Sequence, residues 1–107
     1  MARSALANQT FNTLYTGMRS VATSKGVSFD VKSFNDGSAV VNFIVTARNV
    51  SVTQAVCVTP IMAADNKKVE KWRVADDERT LLVNTLAEAL SKIRGLVAST
   101  RSILSKV

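Results

Sequence analysis

Asp76, Asp77 and Glu78 stand side by side, Cys57 is the single cysteine, and the chain contains no histidine. Acid–base, thiol or metal chemistry would have to be built from these few groups. General acid–base catalysis usually draws on histidine or on carboxylates that converge in a pocket. Three consecutive acids ahead of a leucine-rich run read instead as a helix start at Asp76 or Asp77. There an aspartate caps free backbone N–H groups, and negative charge meets the positive end of the helix dipole. Cys57 has no second cysteine for a disulfide and no histidine to activate it or share a metal. It reads as a small strand residue in a reducing compartment. There is no glycine-rich phosphate loop and no metal-ligand spacing. No catalytic residue, metal site, cofactor or small-molecule substrate is expected, which excludes the common enzyme classes.

What remains is charge. The chain has 107 residues and a formal net charge of +6. Residues 1–64 carry five Lys/Arg against Asp30 and Asp36, residues 65–80 carry five of each sign, and residues 81–107 carry four Lys/Arg against Glu88. The excess is spread along the chain, which suits contact with a phosphate backbone better than a detachable basic arm. Ordinary solubilising charge is the competing explanation. The length allows one domain, 1–107, with a modest core made mostly of Val and Ala. No stretch approaches membrane-spanning length, and the first 25 residues lack the continuous apolar run of a secretory signal. No membrane partner is expected.

Three segments position these charges: an N-terminal segment 1–25, a β meander 26–75 and a helical end 76–107. In residues 4–24, Ala7, Phe11, Leu14, Met18 and Val21 mark one face of a helix. Phe11, Thr13 and Tyr15 also fit a strand; helix is the preferred reading. Strands are expected at 27–34, 39–48, 50–59 and 69–74, with Asn35-Asp36-Gly37 as a hairpin turn. Pro60 marks a strand end or an edge. In the helical end, Leu82, Leu86, Leu90 and Ile93 form a buried stripe, and Gly95 is expected to separate two helices. The fold class is α+β, an antiparallel meander with one face covered by C-terminal helices, in an intertwined dimer.

Alternation gives the meander two faces. Val27, Phe29, Val31, Ala39, Val41, Phe43, Val45, Val50, Val52, Val56 and Val58 are expected to point to a core. The opposite face is polar and basic, and Lys32, Asn42, Thr46, Arg48, Ser51, Thr53, Lys71 and Arg73 are the candidate residues for binding a nucleic acid. Lysine and arginine position phosphates, while Asn, Thr and Ser offer hydrogen bonds to bases or sugars. The bland alternative is a solvated sheet face. Phe34 follows Lys32 on the polar side and is a candidate for base stacking; Trp72 shares the side of Val74 and reads as a core anchor.

Val69-Glu-Lys-Trp-Arg-Val-Ala-Asp-Asp-Glu-Arg-Thr-Leu-Leu-Val-Asn-Thr-Leu, with Leu96-Val-Ala-Ser-Thr beyond it, follows strands rich in Val, Thr, Ser and Ala. Over residues 27–107 this pattern resembles the coat proteins of small single-stranded RNA bacteriophages, the levivirus-like coat proteins. The resemblance implies two chains paired edge to edge in one continuous sheet, helices clasping the partner, and an icosahedral shell whose interior is the open sheet face bound to genomic RNA. It implies a virion protein assembled in the bacterial cytoplasm. The chain departs from the family in its helical N-terminal segment, where the family begins with a β hairpin, and in its short length.

The expected function is therefore a capsid subunit that self-assembles and binds RNA. Two other classes use the same features. One is a small single-stranded nucleic-acid-binding protein outside any capsid, which would need stacking aromatics on the open face. The other is a phage partner-binding protein with no nucleic-acid role.

Overall fold

A computed structural model describes residues 4–22 and 26–106. Residues 23–25, part of the N-terminal segment considered above, lie outside the described residues. The fold is α+β: helix α1 (Ala5–Ala22), strands β1 (Val27–Ser33), β2 (Ala39–Ala47), β3 (Val50–Met62), β4 (Val69–Ala75) and β5 (Thr80–Val83), then helix α2 (Leu86–Ser105). The strands form one antiparallel sheet in the order β1-β2-β3-β4-β5, with both helices packed on the same face.

The N-terminal segment is helical, as its periodicity predicts. Ser4 caps it, its hydroxyl oxygen accepting from the Ala7 N–H at 3.1 Å while the hydroxyl donates to the Asn35 carbonyl at 2.8 Å. That pair ties the helix start to the β1–β2 turn. Ala7, Thr10, Leu14 and Met18 form the buried face. Thr10 is buried without penalty because its hydroxyl donates back to the Leu6 carbonyl at 2.9 Å. Phe11 and Val21 are half-buried at the margin. Phe11 stacks on Tyr15, and Tyr15 leans on Phe29 of β1, with ring centroids 5.4 and 5.3 Å apart.

The strand turns use local chemistry. Gly37 has φ 90°, and Asp36 accepts from the hydroxyl and backbone N–H of Ser38. Those two donors hold the Asp36 carboxyl below its ordinary range. The β2–β3 hairpin closes with two residues, Arg48 at φ 52° and Asn49 at φ 67°. Positive φ at both central residues matches the right-handed twist of the strands. β3 is the longest strand and its partners are staggered. β2 pairs with Val50–Val58 and β4 with Cys57–Met62, so the two neighbours overlap only at Cys57 and Val58. Pro60 sits past the end of β2, where its missing N–H costs no ladder bond.

The helical end begins later than the sequence suggests. Asp76 caps a turn between two strands, its carboxylate accepting from the Glu78 and Arg79 N–H groups at 2.8 Å each. The Arg79 and Glu78 donors, in that order, hold its pKa down. Thr80–Val83 then pairs with β4 as a fifth strand, so Leu82 lies on no helix stripe and is 57% exposed. Thr85 is the true cap of α2, its side chain accepting from the Glu88 N–H at 3.1 Å. Leu86, Ala89, Ile93, Val97, Thr100 and Leu104 are the buried face of one unbroken helix. Gly95 does not divide it: it lies on the exposed side, where the helix's other face already holds the segment to the core.

The core joins the sheet face of Val31, Val41, Phe43, Val45, Val56, Val58, Trp72 and Val74 to Leu14, Met18, Ile93 and Val97 of the helices. Two glycines in the helices have opposite surroundings. A Cβ at Gly17 would overlap the Leu90 side chain, so this glycine lets α1 and α2 approach closely; a Cβ at Gly95 would meet open space. Gly95→Ala is expected to stabilise the protein by about 0.4–1 kcal/mol. Gly17→Val is expected to destabilise it by about 1–3 kcal/mol through overpacking. Urea midpoints of the two variants check this; shifts of the same sign would contradict the close approach of α1 and α2.

Candidate nucleic-acid interface

The cross-strand register converts the list of polar residues into an arrangement. Residues paired across an antiparallel sheet share a face, so the open face can be read row by row. Thr46 and Ser51 form the first row and share a hydrogen bond at 2.8 Å. Next come Ser28, Ile44 and Thr53, then Asp30, Asn42 and Ala55. Lys32, Val40, Cys57, Ala75 and Thr80 follow, then Thr59, Arg73 and Leu82, and finally Ile61 with Lys71.

The candidate residues therefore fall into two groups. Lys32, Lys71 and Arg73 lie in the last three rows and are all exposed. Asn42, Thr46, Ser51 and Thr53 lie in the first three rows together with Asp30, the acid of this face. The face is thus basic at one end and neutral to acidic at the other. Rows are about 7 Å apart and strands about 4.8 Å, so Lys32 and Arg73 sit roughly 16 Å apart at their Cα atoms. Long cationic side chains bring their charges within one extended polyanion segment.

One candidate is misplaced by the sequence. Arg48 is not on the open face; it occupies the two-residue turn at the tip of the β2–β3 hairpin, beyond the last paired residues Ala47 and Val50. The turn needs two left-handed residues, and strand alternation gives no warning of that. The face is also less polar than expected. Val40, Ile44, Ala55, Ile61 and Leu82 share it, with Ile44 at 40% and Leu82 at 57% exposure.

Phe34 joins the basic end. It is 43% exposed, and the Lys32 ammonium lies 5.9 Å from its ring centroid. Its N–H donates to the Ser38 carbonyl at 2.9 Å, which fixes it one row beyond Lys32, on the side of Arg73. An exposed ring beside cations is a stacking platform of the kind single-strand binders use. Trp72 is 6% exposed in the core and offers no such surface.

A shallow groove of about 240 Å³ on the neutral end is lined by Ser28, Asp30, Asn42, Ile44 and Thr53. Among the described residues no group of three His, Cys, Asp or Glu side chains is placed to hold a metal ion. Among the described residues no helix is long and apolar enough to cross a membrane. The helical side of the molecule is also basic, with exposed Arg19, Lys92, Arg94 and Arg101. Compared with protein-family models, curated proteins and solved structures, the chain matches none of them.

Proposed function

We propose that this chain is a coat subunit that assembles with copies of itself into a shell and holds single-stranded RNA on its open sheet face. The observation that carries the reading is the clustering of Lys32, Lys71 and Arg73 at one end of a sheet face that neither helix covers. These cations would position phosphates, and the neutral hydroxyl and amide groups of the other end would meet bases or sugars. The reading assigns no catalytic residue and no cofactor; its site of action is the virion, with assembly in the bacterial cytoplasm.

The test is to express the chain alone, purify it and examine it by negative-stain electron microscopy and ultraviolet absorbance. Uniform particles carrying nucleic acid are the expected result. A small soluble species free of nucleic acid across several salt and pH conditions would overturn the reading.

A second reading is favoured by Phe34, whose exposed ring beside Lys32 suits base stacking. In that reading the protein binds single strands as a small oligomer and builds no shell. Salt-dependent binding by a stable dimer, with no particles, would select it.

A further inference from the structure

Two concentrations of opposite charge lie outside the open face. The first is the Asp76–Arg79 turn between β4 and β5. The Asp76 carboxylate accepts from the Glu78 and Arg79 N–H groups, and the Asp76 N–H donates to the Arg79 carbonyl at 3.0 Å. These bonds occupy Asp76 and leave Asp77 and Glu78 exposed at the tip. Among the described residues neither carboxylate has an ion-pair partner. A turn fixed in this way presents two adjacent carboxylates with little further ordering cost on binding.

The second lies on the flank of α2 beside α1. Arg94 and Arg101 are exposed there, two helical turns apart, about 10.5 Å along the axis. They border an open groove of about 420 Å³ whose other walls are Val21, Val97 and the short side chains of Ser91 and Ala98. Glu88, the one acid of α2, stands in its first turn and is not part of the groove. No carboxylate of the described residues pairs with either arginine. Gly95 also lines the groove, and a Cβ there would meet open space, so the chain's own packing does not require a glycine. Its missing side chain leaves room for a foreign backbone to come close. The turn of the same molecule cannot fill this groove, because it sits on the opposite flank of α2, beside Leu96 and Ser99.

Resting on the self-assembly reading above, we propose that the Asp77–Glu78 tip of one copy docks in the Arg94–Arg101 groove of the next. Arginine suits the task, since its planar fork takes a carboxylate through two parallel hydrogen bonds. The two halves lie on different parts of the surface, so the contact is head-to-tail. Every subunit gives a turn and receives one, and the series closes into a ring or runs on. Exposed ion pairs are individually weak and are screened by salt, so the contact gains its strength from repetition across many copies. The helices cover the face of the sheet opposite the open one. RNA on the open face and a neighbour in the groove therefore do not compete.

The test is a charge exchange read by sedimentation of the purified chain. Arg94→Glu with Arg101→Glu, and separately Asp77→Lys with Glu78→Lys, are each expected to lose the large assemblies. A chain carrying all four substitutions is expected to regain them. Asp77→Lys and Glu78→Lys combined with Lys67→Glu and Lys68→Glu keeps the formal net charge at +6 without restoring the contact, and is expected to stay defective. Recovery in this control would reduce the effect to net charge and overturn the contact. If a reversal does not fold by far-ultraviolet circular dichroism, crosslinking in a Cys57→Ser background decides. A Glu78→Cys chain mixed with an Ala98→Cys chain is expected to be bridged by a short bismaleimide into mixed dimers, more than either chain with itself. Reversals that leave the assemblies intact, a fourfold exchange that does not restore them, or bridging no greater than self-bridging overturns the contact and leaves self-assembly standing. Arg94→Glu with Arg101→Glu is expected to weaken binding of a short RNA oligomer far less than Lys71→Glu with Arg73→Glu; an equal loss would assign the groove to RNA and overturn the contact. A wild-type chain that is monomeric at every concentration overturns the assembly reading as well.

Discussion

Replacing Lys32, Lys71 and Arg73 together by glutamate is expected to weaken binding of single-stranded RNA by at least about 100-fold at 0.1 M salt. Each phosphate contact with a single strand contributes a slope of about 0.7 to the dependence of log affinity on log salt, so one contact is worth about fivefold at 0.1 M. Three contacts multiply to roughly 100-fold, and reversal adds repulsion to their loss. The slope itself should fall by about 2. The substitutions also take the formal net charge from +6 to zero, so a matched control is needed. Lys92→Glu, Arg94→Glu and Arg101→Glu make the same change of charge on exposed positions of α2. Fluorescence anisotropy of a labelled RNA oligomer at several salt concentrations compares the two triple variants. Equal losses would reduce the open face to a contributor of net charge and sink the proposed site.

Phe43→Ala is expected to destabilise the fold by about 3–5 kcal/mol. Phe43 is the largest fully buried side chain, at the middle of β2 between β1 and β3. Its neighbours in the core are mostly valines, alanines and single leucine or isoleucine side chains from the helices. Branched side chains fixed on a pleated sheet have few rotamers with which to fill a cavity. A domain of this size has about 5–15 kcal/mol of stability in all, so this one truncation removes a large share of it. The urea midpoint should fall by about 1–3 M at an unchanged slope. Phe43→Leu, which keeps most of the volume, should cost far less; equal losses would mean that Phe43 is not a close-packed centre.

Much of this architecture is legible in the residues, and the gaps have physical causes. Strict alternation from Val27 to Val58 reveals the first three strands and their two faces, because a period of two has no other use in a half-buried segment. The fourth strand is legible from Trp72 and Val74 facing opposite Lys71 and Arg73. The fifth is not. An aspartate accepting from backbone N–H groups two and three residues on looks the same at a helix start and in a strand-to-strand turn, and Asp76 does this in a turn. A signal for the real helix start was present in Thr85-Leu-Ala-Glu88, which has the spacing of a capping box. Gly95 reads as a break in the sequence because intrinsic propensity counts about 1 kcal/mol against glycine, yet packing of Ile93 and Val97 holds the helix through it. Of the site, alternation puts all eight candidates on the open face, and the observed register keeps all but Arg48 there. Alternation could not show that Lys32 from β1 meets Lys71 and Arg73 from β4 at one end, since that depends on the register of three hairpins.

The contact of Gly17 with Leu90 has a consequence for the order of events. It sets α1 and α2 side by side, so a single chain supplies both halves of the layer that closes the core. No strand or helix has to be borrowed before apolar surface leaves water. A chain that closes its own core in this way is expected to fold by a first-order process, with the proposed association a separate second-order step. On the proposed reading, subunits folded in this way would meet RNA and one another later, with the concentration of either partner setting the moment of assembly.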